Sequence, residues 1–249
     1  MTTPPALTER QLNRALLARQ SLLSRADVTI PSALEGMGGL QAQYAPSMYI
    51  GLWSRVARLS RHSLTDLLER REVVQGTLLR STIHLVTAAD YWPWALAVRR
   101  ARRDWYLRVA RDRPGAADLA RAADRLRVAL AADGPMRAAE VEALVGTAYR
   151  LGIGLWIDLV RVPPSGTWER RRADLYAAAE DWLGPPSPGL TAEAGQELLV
   201  RRYLGAFGPA SRADVATWAG LPARVLAPVF EGMALRDLRS EDGTKLVDL

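Results

Sequence analysis

The sequence predicts a mostly α-helical chain with small β-hairpins, arranged as tandem winged-helix, or helix-turn-helix, units. Three observations carry that expectation. Successive helix-like stretches near the N-terminus are followed by an apolar, β-branched run, VVQGTLLRSTIHLVT, over residues 73–87. Two later segments repeat one another: GPMRAAEVEALVG from Gly134 and GPASRADVATWAG from Gly208 share Gly, Pro, Ala, an acid, Val and a closing Gly in register. Each copy follows an amphipathic helix and leads into strand-like pieces divided by a turn signal.

Thr8 to Gln20 reads as a helix opened by a Thr-x-x-Gln capping box, and Pro31 to Met37 as a short second helix stopped by Gly38-Gly39. Helical spacing returns at Met48, Leu52, Val56 and Leu59, and Ser63 with Asp66 is expected to start the helix SLTDLLERR. The run over 73–87 is then a hairpin hinged on Gly76. Helices over Asp118–Ala131 and Glu193–Phe207 precede the two repeats. Their hairpins are expected in LVRVPPSGTWERR and LRDLRSEDGTKLVDL, with turns at Pro-Pro-Ser-Gly and Glu-Asp-Gly. Linkers at Arg113-Pro114-Gly115 and at GPPSPG, residues 184–189, divide the chain into winged-helix units over 1–112, 113–188 and 189–249.

The 249 residues suffice for one large domain or two to three small ones with an ample core. The chain has no cysteine, which excludes disulfides and thiolate metal sites and makes an intracellular setting the natural reading. Nothing resembles a signal peptide or an apolar run of transmembrane length, so a soluble cytoplasmic protein is expected, with no membrane partner. The net charge of +6, with Lys245 the single lysine among 33 basic residues, permits a polyanionic partner. An arginine-rich composition reflects genomic nucleotide bias equally well.

Candidate chemistry centres on LQAQYAP, residues 40–46. Residues i and i+2 share a face only in an extended segment, and here Gly38-Gly39 ends a helix while Pro46 restricts Ala45. Gln41 and Gln43 can therefore converge. Two carboxamides can orient a water but hardly deprotonate it. Such a pair suits a reaction whose leaving group departs without much help, such as cleavage of the glycosidic bond of a base made cationic by alkylation. The plainer alternative is that both side chains satisfy backbone groups in a turn.

GLQAQYAPSMYIGLWSRV together with LLRSTIHLVTAADYW resembles the AlkZ/YcaQ family of winged-helix bacterial DNA glycosylases, which excise N-alkylated purines and in some members unhook interstrand crosslinks. That family carries a Gln-x-Gln or Gln-x-Asp motif at its catalytic position, and Gln41-Ala42-Gln43 looks like the first form. The resemblance implies that both glutamines place the hydrolytic water. It is strongest over residues 36–92 and runs more loosely to the end of the chain. Family members usually continue into a β-rich region that helps form the DNA channel. This chain stops at Leu249 after a last wing strand, which marks a fragment or a shortened relative.

Other candidates are contacts to DNA. Arg80, Thr82 and His84 alternate and would share one strand face able to touch phosphate or nucleotide. Arg55 and Arg58, three apart on the helix after the glutamines, and Arg99, Arg102 and Arg103, clustered on one helical face, could hold the backbone. Tyr44 is the candidate aromatic contact. Trp53, Trp156, Trp182 and Trp218 are expected in cores. Two separated histidines and no phosphate loop leave no metal site and no cofactor.

The reading is a monomeric, monofunctional DNA glycosylase acting on double-stranded DNA with alkylated purines, including bulky or crosslinked adducts that need not be fully extruded. The alternatives are a non-enzymatic winged-helix DNA-binding protein, such as a transcriptional regulator, and a protein-interaction scaffold.

Overall fold

A computed structural model describes residues 6–110 and 112–249. A two-residue strand, β1 (Ala6–Leu7), leads into α1 (Glu9–Arg19), whose start is fixed by the reciprocal Thr8–Gln11 capping box. Helix α2 (Ile30–Gly36) is capped by the Thr29 hydroxyl and carries Pro31 in its first turn. It ends at Gly38 and Gly39, both left-handed with φ of +73° and +69°. Gly39 also has to be small, because a Cβ there would sit 3.1 Å from Trp94 and Val86. The tight exit turns the chain directly into β2 (Leu40–Gln41) and then α3 (Ala45–Trp53), with Pro46 in its first turn.

The helical spacing expected through Val56 and Leu59 breaks at Trp53. Val56 instead forms a parallel bridge with Ala26 and buries itself in an extended connection. Helix α4 (Arg61–Glu69) starts three residues earlier than expected, because the Ser60 hydroxyl, not Ser63, caps it by accepting from Ser63 N–H. Strands β3 (Val73–Thr77) and β4 (Ile83–Thr87) follow. Their turn lies at 78–82 rather than at Gly76. Gly76 is mid-strand, opposite His84 and Val160, and lacks a side chain because a Cβ would come within 2.5 Å of the Tyr91 ring.

Helix α5 (Ala88–Val109) is the long central element. Beyond it come α6 (Ala116–Asp133), β5 (Met136–Arg137), α7 (Ala138–Val145), two 3₁₀ turns, β6 (Leu159–Arg161), β7 (Leu175–Ala178) and α8 (Ala179–Leu183). The remainder is α9 (Ala192–Phe207), α10 (Arg212–Ala219), α11 (Ala223–Gly232), β8 (Arg236–Ser240) and β9 (Lys245–Asp248). The two sequence repeats are structural equivalents. Each gives a short extended pair, a helix of 8 residues, and a positive-φ glycine, Gly146 or Gly220, that ends it.

One pattern recurs three times. A short extended piece pairs with the last strand of the following hairpin: β2 with β4, β5 with β7, and Ala210 with Val247 of β9. The middle hairpin departs from its expected strands. Residues 163–174 are a long connection, and the returning strand is β7, which places Trp168 edge-on to Tyr49 at 5.7 Å and Glu169 3.3 Å from Arg61. The first two hairpins join through β3 and β6 into one antiparallel sheet of order β2-β4-β3-β6-β7-β5, while β1, β8 and β9 form a separate three-stranded sheet.

Helices α5 and α9 form the spine of the largest core. Gly195 permits their close approach, since a Cβ there would lie 2.1 Å from the Pro93 carbonyl oxygen. Across this contact Arg202 makes a two-pronged bond to buried Asp90, at 2.8 and 2.9 Å, and reaches Glu35 of α2 at 3.0 Å. Burial nevertheless holds the Asp90 carboxyl above its ordinary range, with Arg202 opposing that shift. The first helix docks on the last unit: Arg19 binds Asp248 at 2.7 Å, and Ala6 is in parallel register with Arg239.

Candidate functional site

The segment after Gly39 is extended, as its glycines and Pro46 dictate. Burial alternates along it: Gln41 is exposed, Ala42 is buried, and Gln43 is exposed again. Leu40 and Ala42 enter the core made by α2, α3 and α4, together with Leu85. Gln41 and Gln43 therefore stand on the opposite face, and the register sets Gln41 directly across from His84. The backbone ladder continues one step past β2, with Ala42 N–H donating to the Ile83 carbonyl at 2.8 Å. The next rung is made by a side chain. Ile83 N–H donates to Gln43 Oε1 at 2.7 Å.

That bond gives the two amides different properties. The Gln43 oxygen is committed to the backbone, which fixes the side chain and leaves its NH2 group to donate. The Gln41 carboxamide makes no hydrogen bond to the described residues and retains both its acceptor and its donors. His84 completes the neighbourhood. Its Nδ1–H donates to the Thr82 carbonyl at 3.0 Å, its ring lies edge-on to Trp94, and burial lowers its pKa to about 4. The positive charges of Arg80 and Arg102 push in the same direction, against the Thr82 bond. At neutral pH the ring is uncharged. The site thus joins two amides and a neutral imidazole, with no carboxylate among them.

The family profile described as "DNA glycosylase AlkZ-like" matches residues 34–249, a span that begins in α2 and takes in the whole glutamine site. The chain belongs to the AlkZ-like DNA glycosylase family. DNA is accordingly its partner, and glycosidic bond cleavage is the family's activity. No curated protein gives a significant match. Among solved structures, Streptomyces sahachiroi DNA glycosylase AlkZ superposes with a TM-score of 0.79 at 18% identity, covering 98% of this chain and 70% of that one. At that identity the likeness is one of fold.

The other candidate residues of this AlkZ-like glycosylase divide sharply. Tyr44 is 55% exposed, and its hydroxyl receives a bond from Arg171 Nη1 at 3.3 Å. Arg80, Thr82 and His84 do not share a strand face. Arg80 and Ser81 sit in the turn with left-handed φ of 50° and 59°, and β4 begins only at Ile83. Arg80 is exposed and pinned by a bond to the Trp218 carbonyl, while the Thr82 hydroxyl donates to Leu79 O at 3.1 Å. Arg55 and Arg58 lie beyond the end of α3, so they share no helical face. Arg55 is half-buried on Gly51 O and Gln20, with its pKa lowered by burial, whereas Arg58 is exposed beside Asp27.

The cluster on α5 turns inward. Arg99 binds Asp158 at 2.6 Å, Arg103 donates to Leu155 O at 2.7 Å, and Arg102 is 6% exposed with Nη1 on Thr77 O at 2.8 Å. The helical spacing did place the three together, but α5 is covered on that side by β3 and the 3₁₀ turn Ile153–Leu155. Their guanidinium groups are engaged with these protein partners instead of standing together on an open helical face.

Arg171 belongs to the run Arg170-Arg171-Arg172, whose place in the sequence predicts a wing strand; in the structure it lies in a loop that folds back beside Tyr44. Trp53 was expected in a core and is 55% exposed, under the Arg25 guanidinium at 3.9 Å. Among the described residues no group of three or more His, Cys, Asp or Glu could hold a metal, and no helix is long and apolar enough to cross a membrane.

Proposed function

We propose that the chain hydrolyses the N-glycosidic bond of N-alkylated purines in duplex DNA, including bulky and crosslinked adducts, as a monofunctional, monomeric, cofactor-free glycosylase. The observation that carries the reading is the alternation at Gln41-Ala42-Gln43, which turns both amides to one face while Ala42 anchors the strand. The division of labour follows from their bonds. Gln43, fixed by Ile83, donates through Nε2 to the attacking water, and Gln41 Oε1 accepts a hydrogen bond from the same water. The remaining water lone pair then points at the anomeric carbon.

An alkylated purine leaves as a neutral base, so the transition state gathers positive charge on the sugar and demands little acid catalysis. Water attack on that carbon forms a protonated C–O bond, and its proton passes to solvent. Neither amide need change protonation state. Lys245, the single lysine, lies in β9 of the separate three-stranded sheet, which fits hydrolysis without an amine adduct.

The threefold pattern supports tandem winged-helix units over 1–112, 113–188 and 189–249, the first carrying the glutamines. Exposed Arg58, Arg80 and Arg171 and the ring of Tyr44 would meet the DNA. The test is release of 7-methylguanine from methylated duplex DNA by the chain and by Gln41→Ala and Gln43→Ala. Release that survives both substitutions, with folding intact, overturns the proposal. Binding without release favours a DNA-binding regulator.

A further inference from the structure

Two cavities meet at Trp105 on the far side of the β3–β4 turn. The larger, about 620 Å³, runs from Arg80 to α10 and Arg224; the smaller, about 320 Å³, runs to α7 and Arg150. Ser81 and Trp105 line both, so together they form one cleft. Trp105 is 50% exposed on α5. Volumes of this order suit a small organic ligand, for which ~300–1,000 Å³ is usual.

The walls and the base of the cleft differ in chemistry. Val141, Leu151 and Ile153 give the smaller chamber an apolar wall. Beneath lie Arg161, 9% exposed, which lines the smaller chamber, and Arg102, which lines the larger. Both converge on Thr77: Arg161 Nη1 bonds its hydroxyl at 2.7 Å and Arg102 Nη1 its carbonyl. Neither Nε has a hydrogen-bond partner among the described residues. Asp158, beside Arg102, is already held by Arg99, and the two carboxylates that line the cleft, Asp104 and Glu142, lie near Arg100 and Arg150 respectively. Buried guanidinium groups are normally neutralised by acids, because an uncompensated buried charge is strongly unfavourable. Here two remain in excess beneath an open cavity and a half-exposed indole.

Guanidinium groups at the base, an aromatic rim and an apolar wall together match a nucleotide, whose phosphate is held by arginine and whose base stacks on a ring. We propose that this cleft receives an unpaired nucleotide of the bound DNA, its phosphate toward Arg161 and Arg102 and its base against Trp105. The nucleotide is one left without a partner when the duplex is distorted, not the base being excised. The turn links the two places, since Arg80 and Ser81 border the cleft and Ile83 holds Gln43. Two consecutive non-glycine residues in left-handed conformation are strained, as turns committed to a ligand often are. The inference rests on DNA as partner and is independent of the glutamines' role.

The experiment uses undamaged DNA, so it reads the cleft without reading excision. Affinities are measured by fluorescence anisotropy for a paired duplex and for the same duplex with one bulged nucleotide. The bulged duplex is expected to bind about tenfold more tightly, the size of one base–aromatic stack. Trp105→Ala and Arg161→Gln should each abolish that preference while leaving paired-duplex affinity within about twofold. Arg150→Ala, at an exposed rim position, should reduce the preference and keeps the test open if Arg161→Gln does not fold. Equal affinity for both duplexes, or a preference that survives Trp105→Ala, overturns the proposal. So does an equal loss for both duplexes.

Discussion

The first and middle hairpin units share one plan and differ in what they place on it. In the first, Gln41 lies across from His84; at the corresponding place in the middle unit Arg137 lies across from Leu175, and in the last Ala210 bridges Val247. In the middle copy the Glu140 carboxylate accepts from Arg137 N–H and closes the start of α7 on itself. In the first copy the helix start carries no such side-chain cap, and the amides are left for other work. The scaffold is the repeated part. In the proposed reading the chemistry comes from a few residues placed on one copy of it.

The sharpest way to break this comparison is to substitute equivalent positions. If the two amides hold one water as proposed, Gln41→Ala and Gln43→Ala should each lower single-turnover excision by about 10²-fold, with the double variant little worse than either. Arg137→Ala, at the same place in the middle copy, should leave the rate within about twofold. Equal losses would mean that the copies are not distinguished by chemistry.

A second contrast concerns packing at the seam between the copies. Gly76→Ala should destabilise by about 1–3 kcal/mol in urea unfolding, as overpacking does, because Tyr91 has to move away from the new methyl group. A neutral result would show that the seam is looser than its geometry.

His84 sharpens the comparison through pH, since Leu175 in the middle copy cannot titrate. With its pKa lowered from 6.5 to about 4, the folded chain resists a proton that the unfolded chain accepts between those values. Stability attributable to His84 is therefore full above pH 6.5 and falls as the pH drops toward 4, by about 2 kcal/mol between pH 7 and pH 5. His84→Asn, which keeps a donor for Thr82, should remove that part of the pH dependence. The smallest expected effect is at Arg171: replacing it with Ala should weaken DNA binding modestly and reduce the salt slope by about 1.

Much of this architecture was legible in the sequence because local rules and tertiary context agree. The Thr8 capping box, the Gly38-Gly39 stop, the repeated segments and the Glu-Asp-Gly turn all fall where spacing put them. The glutamine pair was legible for the same reason, as Ala42 forces the alternation that exposes its neighbours. What failed were features set by long-range contacts. Gly76 resembled a turn residue, but its smallness answers Tyr91, fifteen positions away in the chain. The arginines of α5 form the stripe their spacing predicts, yet no local pattern announces that β3 and the 3₁₀ turn Ile153–Leu155 cover it. The long connection 163–174 is likewise shaped by the first unit, through Tyr49 and Arg61.

The pairing of Ala6–Leu7 with Arg239–Ser240 bears on how the chain is assembled. Strand β1 has its partner, β8, far along the chain, so during synthesis it waits without that neighbour until β8 has been made. Closure of that edge depends on β8, and a nascent chain halted before β8 would leave β1 open to pairing with another polypeptide.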